Sequence, residues 1–442
     1  MKKPIFGEYQ KDNGDWFREI PSHWGGKRAK WVFSSIREPS QEGDTQLAAS
    51  QKYGVVPQKL MMELNNASVM QALKGTGNFK RVQKNNFVIS LRSFEGGIEI
   101  SHYDGCISPA YTVLRLSDRK NNEPGYFRYA LKENVFIQAL NSTSEGIRDG
   151  KTITYDQFSS LNLCIPPCEE QKAIACFLNR ETKRINSLIA EKQHFINLIK
   201  EKRQALISHV VTKGLDPDVE MKDSGVEWIG EIPKHWEIKK LRYIGRCQNG
   251  INIGGDFFGE GFPFISYGDV YKNRELPETP SGLVRSSETD RQTYMVKEGD
   301  VLFTRTSETI DEIGFSSVCM RDMPDAVFAG FLIRFRPSPG AIVKEFSKYY
   351  FQNELLRAFF VKEMNLVTRA SLSQELLKRM PVVLPPEEEQ VLISQHLDKK
   401  CSALEELMTE TKKSIDLLRE HRTALISAAV TGKIDLRDKE VA

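Results

Sequence analysis

Two groups of basic and aromatic side chains carry the chemistry that the sequence offers. Lys80-Arg81, Lys84 and Arg92 precede Tyr111, and later in the chain Tyr267, Tyr271-Lys272 and Arg274 precede Arg305, Thr306 and Arg369. Lysine and arginine grip phosphates, while arginine forks, hydroxyls and aromatic faces meet base edges, so all of these are candidate DNA contacts. Ordinary surface loops carry the same mixture, and that plainer reading stands beside the first. Arg92 and Arg305 each end a β-like run, 87–92 and 300–305. An arginine leaving a strand presents its guanidinium to phosphate or guanine, or anchors its loop through a carboxylate. Both alternatives remain open.

The runs that position these residues, with 111–116 and 331–335, predict short strands within two mixed α/β inserts covering about 25–160 and 237–380. The first insert has 18 Lys/Arg against 13 Asp/Glu and the second has 20 against 19, so neither is a basic domain. Any nucleic-acid surface must therefore be local.

Around the inserts the chain repeats itself. Pro166-Pro167 falls on Pro385-Pro386 at an offset of 219, and the match runs without a gap through Glu170-Gln171 on Glu389-Gln390 to Ala205-Leu206-Ile207-Ser208 on Ala424-Leu425-Ile426-Ser427. A second echo, at an offset of 212, sets Trp16 and Glu19-Ile20-Pro21-Ser22-His23-Trp24 against Trp228 and Glu231-Ile232-Pro233-Lys234-His235-Trp236. The inserts between these echoes share little sequence. Repeated surfaces suit two copies of one partner, whereas dissimilar surfaces must face different targets.

Each repeated segment predicts a long helix, opened by Pro-Pro and acidic residues at the positive end of its dipole. Apolar residues recur at alternating steps of four and three: Ile185, Ile189, Ile196, Ile199, Leu206 and Val210 in the first copy. The second copy gives Leu404, Met408, Ile415, Leu418, Leu425 and Ala429. Lys192, Arg203, Thr411 and Arg422 interrupt these seams. The spacing is that of a two-helix coiled coil or of a plain core stripe. Roughly 40 residues at 1.5 Å each make a rod of about 60 Å, and the expected partner of each rod is the other, antiparallel about a pseudo-twofold axis.

The 442 residues are 40% hydrophobic and 27% charged, with a mean hydropathy of −0.42 and a net charge of only +3, which excludes a membrane protein and a wholesale polycation. The amino terminus lacks the apolar stretch of a secretory signal and the seven cysteines are scattered, so a cytoplasmic location is expected. Enzyme readings find little support. The glycines from Asn249 to Gly261 never close on Lys-Ser/Thr, as a phosphate loop requires. Pro217-Asp218-Val219-Glu220-Met221-Lys222 crowds two carboxylates and a lysine onto one short segment and reads as a linker. Cys164, Cys168 and Cys176 lack Cys-x-x-Cys spacing and are expected to be buried thiols. The Asn-Pro-Pro-aromatic element of an adenine methyltransferase is missing as well. His23 and His235 repeat in frame before tryptophan and point to a structural role. No metal or cofactor is expected on this chain.

Taken in order, these pieces resemble the specificity (S) subunit of type I restriction-modification systems over nearly the whole chain. The resemblance rests on the two Pro-Pro-x-x-Glu-Gln helix starts, the Leu-Ile-Ser helix ends and the Ile-Pro-x-His-Trp entries. It also rests on Phe264-Ile265-Ser266-Tyr267-Gly268-Asp269-Val270, on Gly299 to Arg305 with Ile313-Gly314, and on Ser108-Pro109-Ala110-Tyr111. Two departures are Cys168 where the second copy has Glu387, and Leu91 where the second insert has Thr304.

The resemblance implies a non-catalytic α+β protein in which two target-recognition domains, 1–160 and 217–380 (217–230 being a linker), each read half of a bipartite double-stranded DNA site. Helical spacers at 161–216 and 381–442 would set the distance between the halves. They would also dock two modification (methyltransferase) subunits, which bring S-adenosylmethionine, and restriction (translocase/nuclease) subunits would join that core. The candidate docking residues are Ile185, Ile189, Ile196, Ile199, Leu206, Leu404, Met408, Ile415, Leu418 and Leu425. The competing class is an assembly scaffold whose inserts bind proteins.

Overall fold

A computed structural model describes residues 6–11, 19–65, 76–90, 97–143, 153–307, 313–363 and 370–437. The fold is α+β, and the chain divides into two compact units, one from residues 1–191 with 413–442 and the other from 192–412. Two long helices, Cys168–Lys213 and Glu387–Val430, dominate the secondary structure. Each unit takes in part of both. The first core includes Ile174, Leu178 and Ile185 from one helix and Leu425, Ala429 and Val430 from the other, around Trp24, Phe33, Phe87 and Phe127. The second includes Ile207, Val210 and Val211 with Ile393, Leu397 and Cys401, around Trp236, Phe303, Phe335 and Tyr350.

Both units begin on the same pattern. An antiparallel pairing of Tyr9–Lys11 with Glu19–Pro21 is matched by that of Met221–Asp223 with Glu231–Pro233, so the segment expected to be a linker at 217–230 contains a strand. Gly25–Arg28 then pairs with Asn162–Ile165, and Glu237–Lys240 pairs with Pro381–Leu384, each strand pair delivering the chain to the Pro-Pro start of a long helix.

Above this base each unit holds a four-stranded antiparallel sheet of the same topology. In the first, Phe33–Ile36, Thr112–Leu116, Phe87–Ile89 and Ile98–Ile100 lie in that spatial order; in the second the order is Gly245–Asn249, Leu332–Pro337, Val301–Thr304 and Ser316–Val318. Near-continuous Val, Ile, Leu and Phe in the central strands fits burial on both faces. The registers correct one expected equivalence. Leu116 pairs with Phe33 and Leu114 with Phe87, while Pro337 pairs with Gly245 and Phe335 with Val301. Phe87 therefore corresponds to Val301, and Ser90, not Leu91, takes the place of Thr304.

Outside these sheets the lobes differ. The first adds two-stranded pieces, Lys80–Val82 with Gly105–Ile107 and Leu47–Ser50 with Gly54–Pro57. The second adds the long strand Phe258–Ile265, flanked antiparallel by Gly282–Val284 and parallel by Val327–Phe328.

The seam residues of the long helices point inward. Ile185, Ile196, Ile199, Met408, Ile415 and Leu425 are buried, and Ile189, Leu206, Leu404 and Leu418 are half-buried. Cys164 is buried as expected, but Cys176 is exposed and Cys168 is half-exposed, its thiol donating to the Lys120 carbonyl at 3.4 Å. No helix among the described residues is long and apolar enough to cross a membrane.

Candidate nucleic-acid interface

The duplicated motifs form a clamp at the base of each unit. Oε1 of Glu170 lies 2.7 Å from Nε2 of His23, and its Oε2 accepts from the Trp24 indole N–H at 2.9 Å. Glu389 holds His235 at 2.6 Å and Trp236 at 2.9 Å in the same way. The neighbouring glutamine closes the Pro-Pro turn. Gln171 Nε2 donates to the Pro166 carbonyl and its Oε1 accepts from the Glu123 amide, both at 2.8 Å. Gln390 makes equivalent bonds to Pro385 and Val343, again both at 2.8 Å. Glu123 and Val343 start the helices Pro124–Ala130 and Lys344–Tyr350, so this pair of motifs ties each lobe to its long helix.

On that base the predicted contact residues fall into three settings. Lys80 and Tyr111 meet, the Lys80 ammonium donating to the Tyr111 carbonyl at 2.5 Å; burial and nearby Arg37 hold its pKa below the ordinary lysine value. Arg81 is half-buried on the same strand, and Lys84 is exposed on the following turn, where its amide donates to Asp104. Arg92 and Arg369 lie outside the described residues.

In the second unit Tyr271, Lys272 and Arg274 line one cavity of about 790 Å3 between the lobe and the long helices. Tyr267 and Tyr271 stack at 5.8 Å one helical turn apart, and Tyr271 meets Phe315 at 5.0 Å. Lys272 is exposed beside them. Arg274 turns inward, donating to Gln352 at 3.0 Å and pairing with Glu405 at 3.6 Å, and so is engaged within the protein.

The third setting is the end of a central strand. The Arg305 amide donates to Phe331 and its carbonyl accepts from Leu372, while Nη1 reaches the Gly330 carbonyl at 3.5 Å. Thr306 pairs with Ser371 in a short ladder. Phe331, next to this anchor, is 64% exposed.

Sequence reasoning passed over one further pair. Trp31 is 70% exposed with the Lys30 ammonium 5.2 Å from its ring, and Tyr243 is 67% exposed with the Arg242 guanidinium at 4.9 Å. Their separation, 243 − 31 = 212, is the offset of the His-Trp echo, so the signal was present in the sequence. On the long helices, Leu198 (46% exposed) and Leu417 (65% exposed) are another outward pair, at the offset of 219. No group of three or more potential metal-ligating side chains occurs among the described residues.

Two polar bridges join the long helices, one within each unit. Arg422 donates to Asn186 at 2.6 Å in the first, and Arg203 pairs with Glu405 at 3.1 Å in the second.

Known proteins resemble the chain along much of its length. It is 22% identical over 318 residues to the type I restriction enzyme EcoKI specificity subunit of Escherichia coli, covering 70% of this chain and 65% of that protein's length. It is 23% identical over 333 residues to the type I restriction enzyme MjaVIII specificity subunit of Methanocaldococcus jannaschii, covering 74% of each. Its fold matches a chain from a study of complex assembly and conformational transition of the type I R-M system, with a TM-score of 0.71 at 15% identity, over 94% of this chain and 99% of that one. The HsdS subunit of Thermoanaerobacter tengcongensis matches with a TM-score of 0.53 at 16% identity, over 94% and 98% of the two chains. The family model for the type I restriction modification DNA specificity domain matches twice, at residues 21–198 and 233–417. With both halves accounted for in this way, the chain belongs to the family of type I restriction-modification specificity subunits.

Proposed function

We propose that this chain is the non-catalytic reader of a type I restriction-modification complex, each lobe reading one half of a bipartite duplex site. The observation that carries this reading is the contrast between a base kept bond for bond, with Glu170 and Glu389 holding identical His-Trp pairs, and lobes built differently above it. One scaffold presenting two unlike surfaces suits two unlike half-sites. The recognition domains are 1–160 and 217–380, with spacers at 161–216 and 381–442, and the DNA contacts come from Lys80, Arg81, Lys84, Arg92, Tyr111, Tyr267, Tyr271, Lys272, Arg305, Thr306 and Arg369.

The long helices act as an antiparallel ruler. The pairs 186–422 and 203–405 each sum to 608, as antiparallel register demands, and a shift of 219 turns one pair into the other. Two modification subunits dock on repeated outward features, Trp31 and Tyr243 with Leu198 and Leu417, and bring the methyl-transfer chemistry. The buried seam residues shape that surface from beneath. Exchanging 237–380 for the second insert of a relative is expected to change one half of the methylated sequence and leave the other intact. A change in both halves, or in neither, overturns the assignment. Inserting one turn into both helices is expected to alter the half-site spacing, since it adds roughly 5 Å of rod.

A further inference from the structure

The cavity between lobe and long helices occurs in both units, and its charge differs. In the second unit the lining carries four cations (Arg203, Lys272, Arg274, Lys348) against three carboxylates (Glu275, Asp398, Glu405). The carboxylates are engaged. Asp398 accepts from the Tyr349 hydroxyl and the Lys348 ammonium, both at 2.6 Å, and Glu405 holds Arg203 at 3.1 Å and Arg274 at 3.6 Å. This cleft supplies its own counter-ions.

In the first unit the same place is formed by two adjoining cavities of about 510 and 360 Å3 that share Arg128, Tyr129, Thr182 and Asn186. Arg128-Tyr129 correspond to Lys348-Tyr349, and Arg422 corresponds to Arg203. Where the second unit has Asp398 and Glu405, the first has Asn179 and Asn186, each 219 residues earlier. The bonding geometry is retained without the charge: Tyr129 donates to Asn179 at 2.8 Å and Arg422 donates to Asn186 at 2.6 Å. The linings now hold four cations (Arg128, Lys132, Lys183, Arg422) against Glu133 alone. Glu133 caps the helix Asn134–Ser142 and accepts from Ser427 at 2.9 Å, and Lys132 is taken by Glu99 at 2.6 Å. Arg128 and Lys183 are exposed; Arg128 feels the Glu99 carboxyl only at a distance, and neither side chain forms a salt bridge among the described residues.

We infer that this first cleft is an anion site, and that its ligand is the phosphodiester backbone of duplex DNA. The second unit shows where the negative charges belong, at two helix positions seven residues and so about 10 Å apart, and the first leaves both to be supplied from outside. Arginine and lysine around a neutral amide floor suit phosphate oxygens, which such side chains hold in position without reading sequence. The assignment rests on the reading of the chain as a DNA binder. It predicts that the two lobes contribute unequally to the non-specific part of the affinity.

The test is a titration of the full chain, assembled with its modification partner, against specific and scrambled duplexes over a range of salt. Writing the second unit's carboxylates into the first with Asn179→Asp and Asn186→Glu keeps both hydrogen-bond acceptors. It is expected to weaken binding to both duplexes about tenfold near 0.1 M salt, and to lower the salt slope by about one for each phosphate no longer held, with the specificity ratio unchanged. Arg128→Gln with Lys183→Gln, both exposed, is expected to give the same result without adding charge. If the parent assembly binds duplex and both variants match it in affinity and slope, the assignment fails alone. Should the variants lose the modification partner while retaining DNA affinity, the cleft takes a protein carboxylate and the assignment is overturned. A parent assembly that binds no duplex overturns the DNA reading and this inference together.

Discussion

At the base of the first unit Glu170 joins His23 to Trp24, and at the base of the second Glu389 joins His235 to Trp236 with distances that agree within 0.1 Å. Higher up, Arg203 meets a glutamate where Arg422 meets an asparagine. The difference follows from burial. Trp24 is 2% exposed and Trp236 is fully buried, so their indole N–H groups need a partner that evolution cannot drop without a large penalty. A bond at a half-exposed arginine can exchange charge for neutrality cheaply, because water takes up the difference. Sites held by buried polar bonds preserve the frame, and sites open to solvent are free to specialise.

The strongest way to break this comparison is to remove the tryptophans. Trp24→Ala and Trp236→Ala are each expected to cost about 3–5 kcal/mol in denaturant unfolding of the full chain. Costs that differ by more than the spread between such sites would show that the clamps are not equivalent.

A difference confined to the first unit is next in size. Burial pushes the Glu99 carboxyl up to about 7, overriding the opposing pull of Lys132, and one of its oxygens is enclosed without a partner. The folded state therefore keeps a proton that the unfolded state, titrating near 4.5, releases. Stability is expected to be greatest below pH 4.5 as far as this group is concerned, to fall as pH rises from 4.5 to about 7, and to stay level above that, by up to about 3 kcal/mol. Glu99→Gln is expected to remove the slope. The matching position in the second sheet is Ser317, which does not titrate, so Ser317→Ala is expected to leave the pH profile unchanged.

The glycines that end the long helices give a smaller contrast. Gly214 and Gly432 both have left-handed backbones, at φ +82° and +70°. A side chain at Gly432 would meet Pro21 Cδ at 2.4 Å, whereas one at Gly214 would meet Trp236 Cζ2 at 3.2 Å. Each Gly→Ala change is expected to cost about 1–2 kcal/mol from conformation, with a further loss at Gly432. Equal melting shifts would remove the asymmetry. Smallest of all, Arg203→Gln and Arg422→Gln are each expected to cost less than about 1 kcal/mol, and only the Arg203 effect should shrink with added salt.

The sequence carried the frame well, because the two offsets, 219 and 212, align residues whose bonds prove identical. It carried the lobes less well. Strands Phe87–Ile89 and Val301–Thr304 were legible as hydrophobic runs, yet their equivalence slipped by one at Leu91, since register is set by ladder partners distant in the chain. Arg274 had the composition of a DNA contact but is engaged by Glu405, 131 residues later, a separation no local pattern reveals. Trp31 and Tyr243 were readable from the offset alone, but only by carrying it past the point where similarity fades.

The division of the chain also bears on how the protein is made. One unit is a continuous stretch, 192–412, and all of it is translated before the segment 413–442 that completes the other. The first lobe, although synthesised earliest, lacks Leu425, Ala429, Val430, Ile434 and Leu436 from its core until that later segment is made. Tyr9 likewise has no Gly432 carbonyl to bond. The half that emerges second can therefore finish folding first, and the half that emerges first must wait, with apolar surface uncovered, for the polypeptide to return to it.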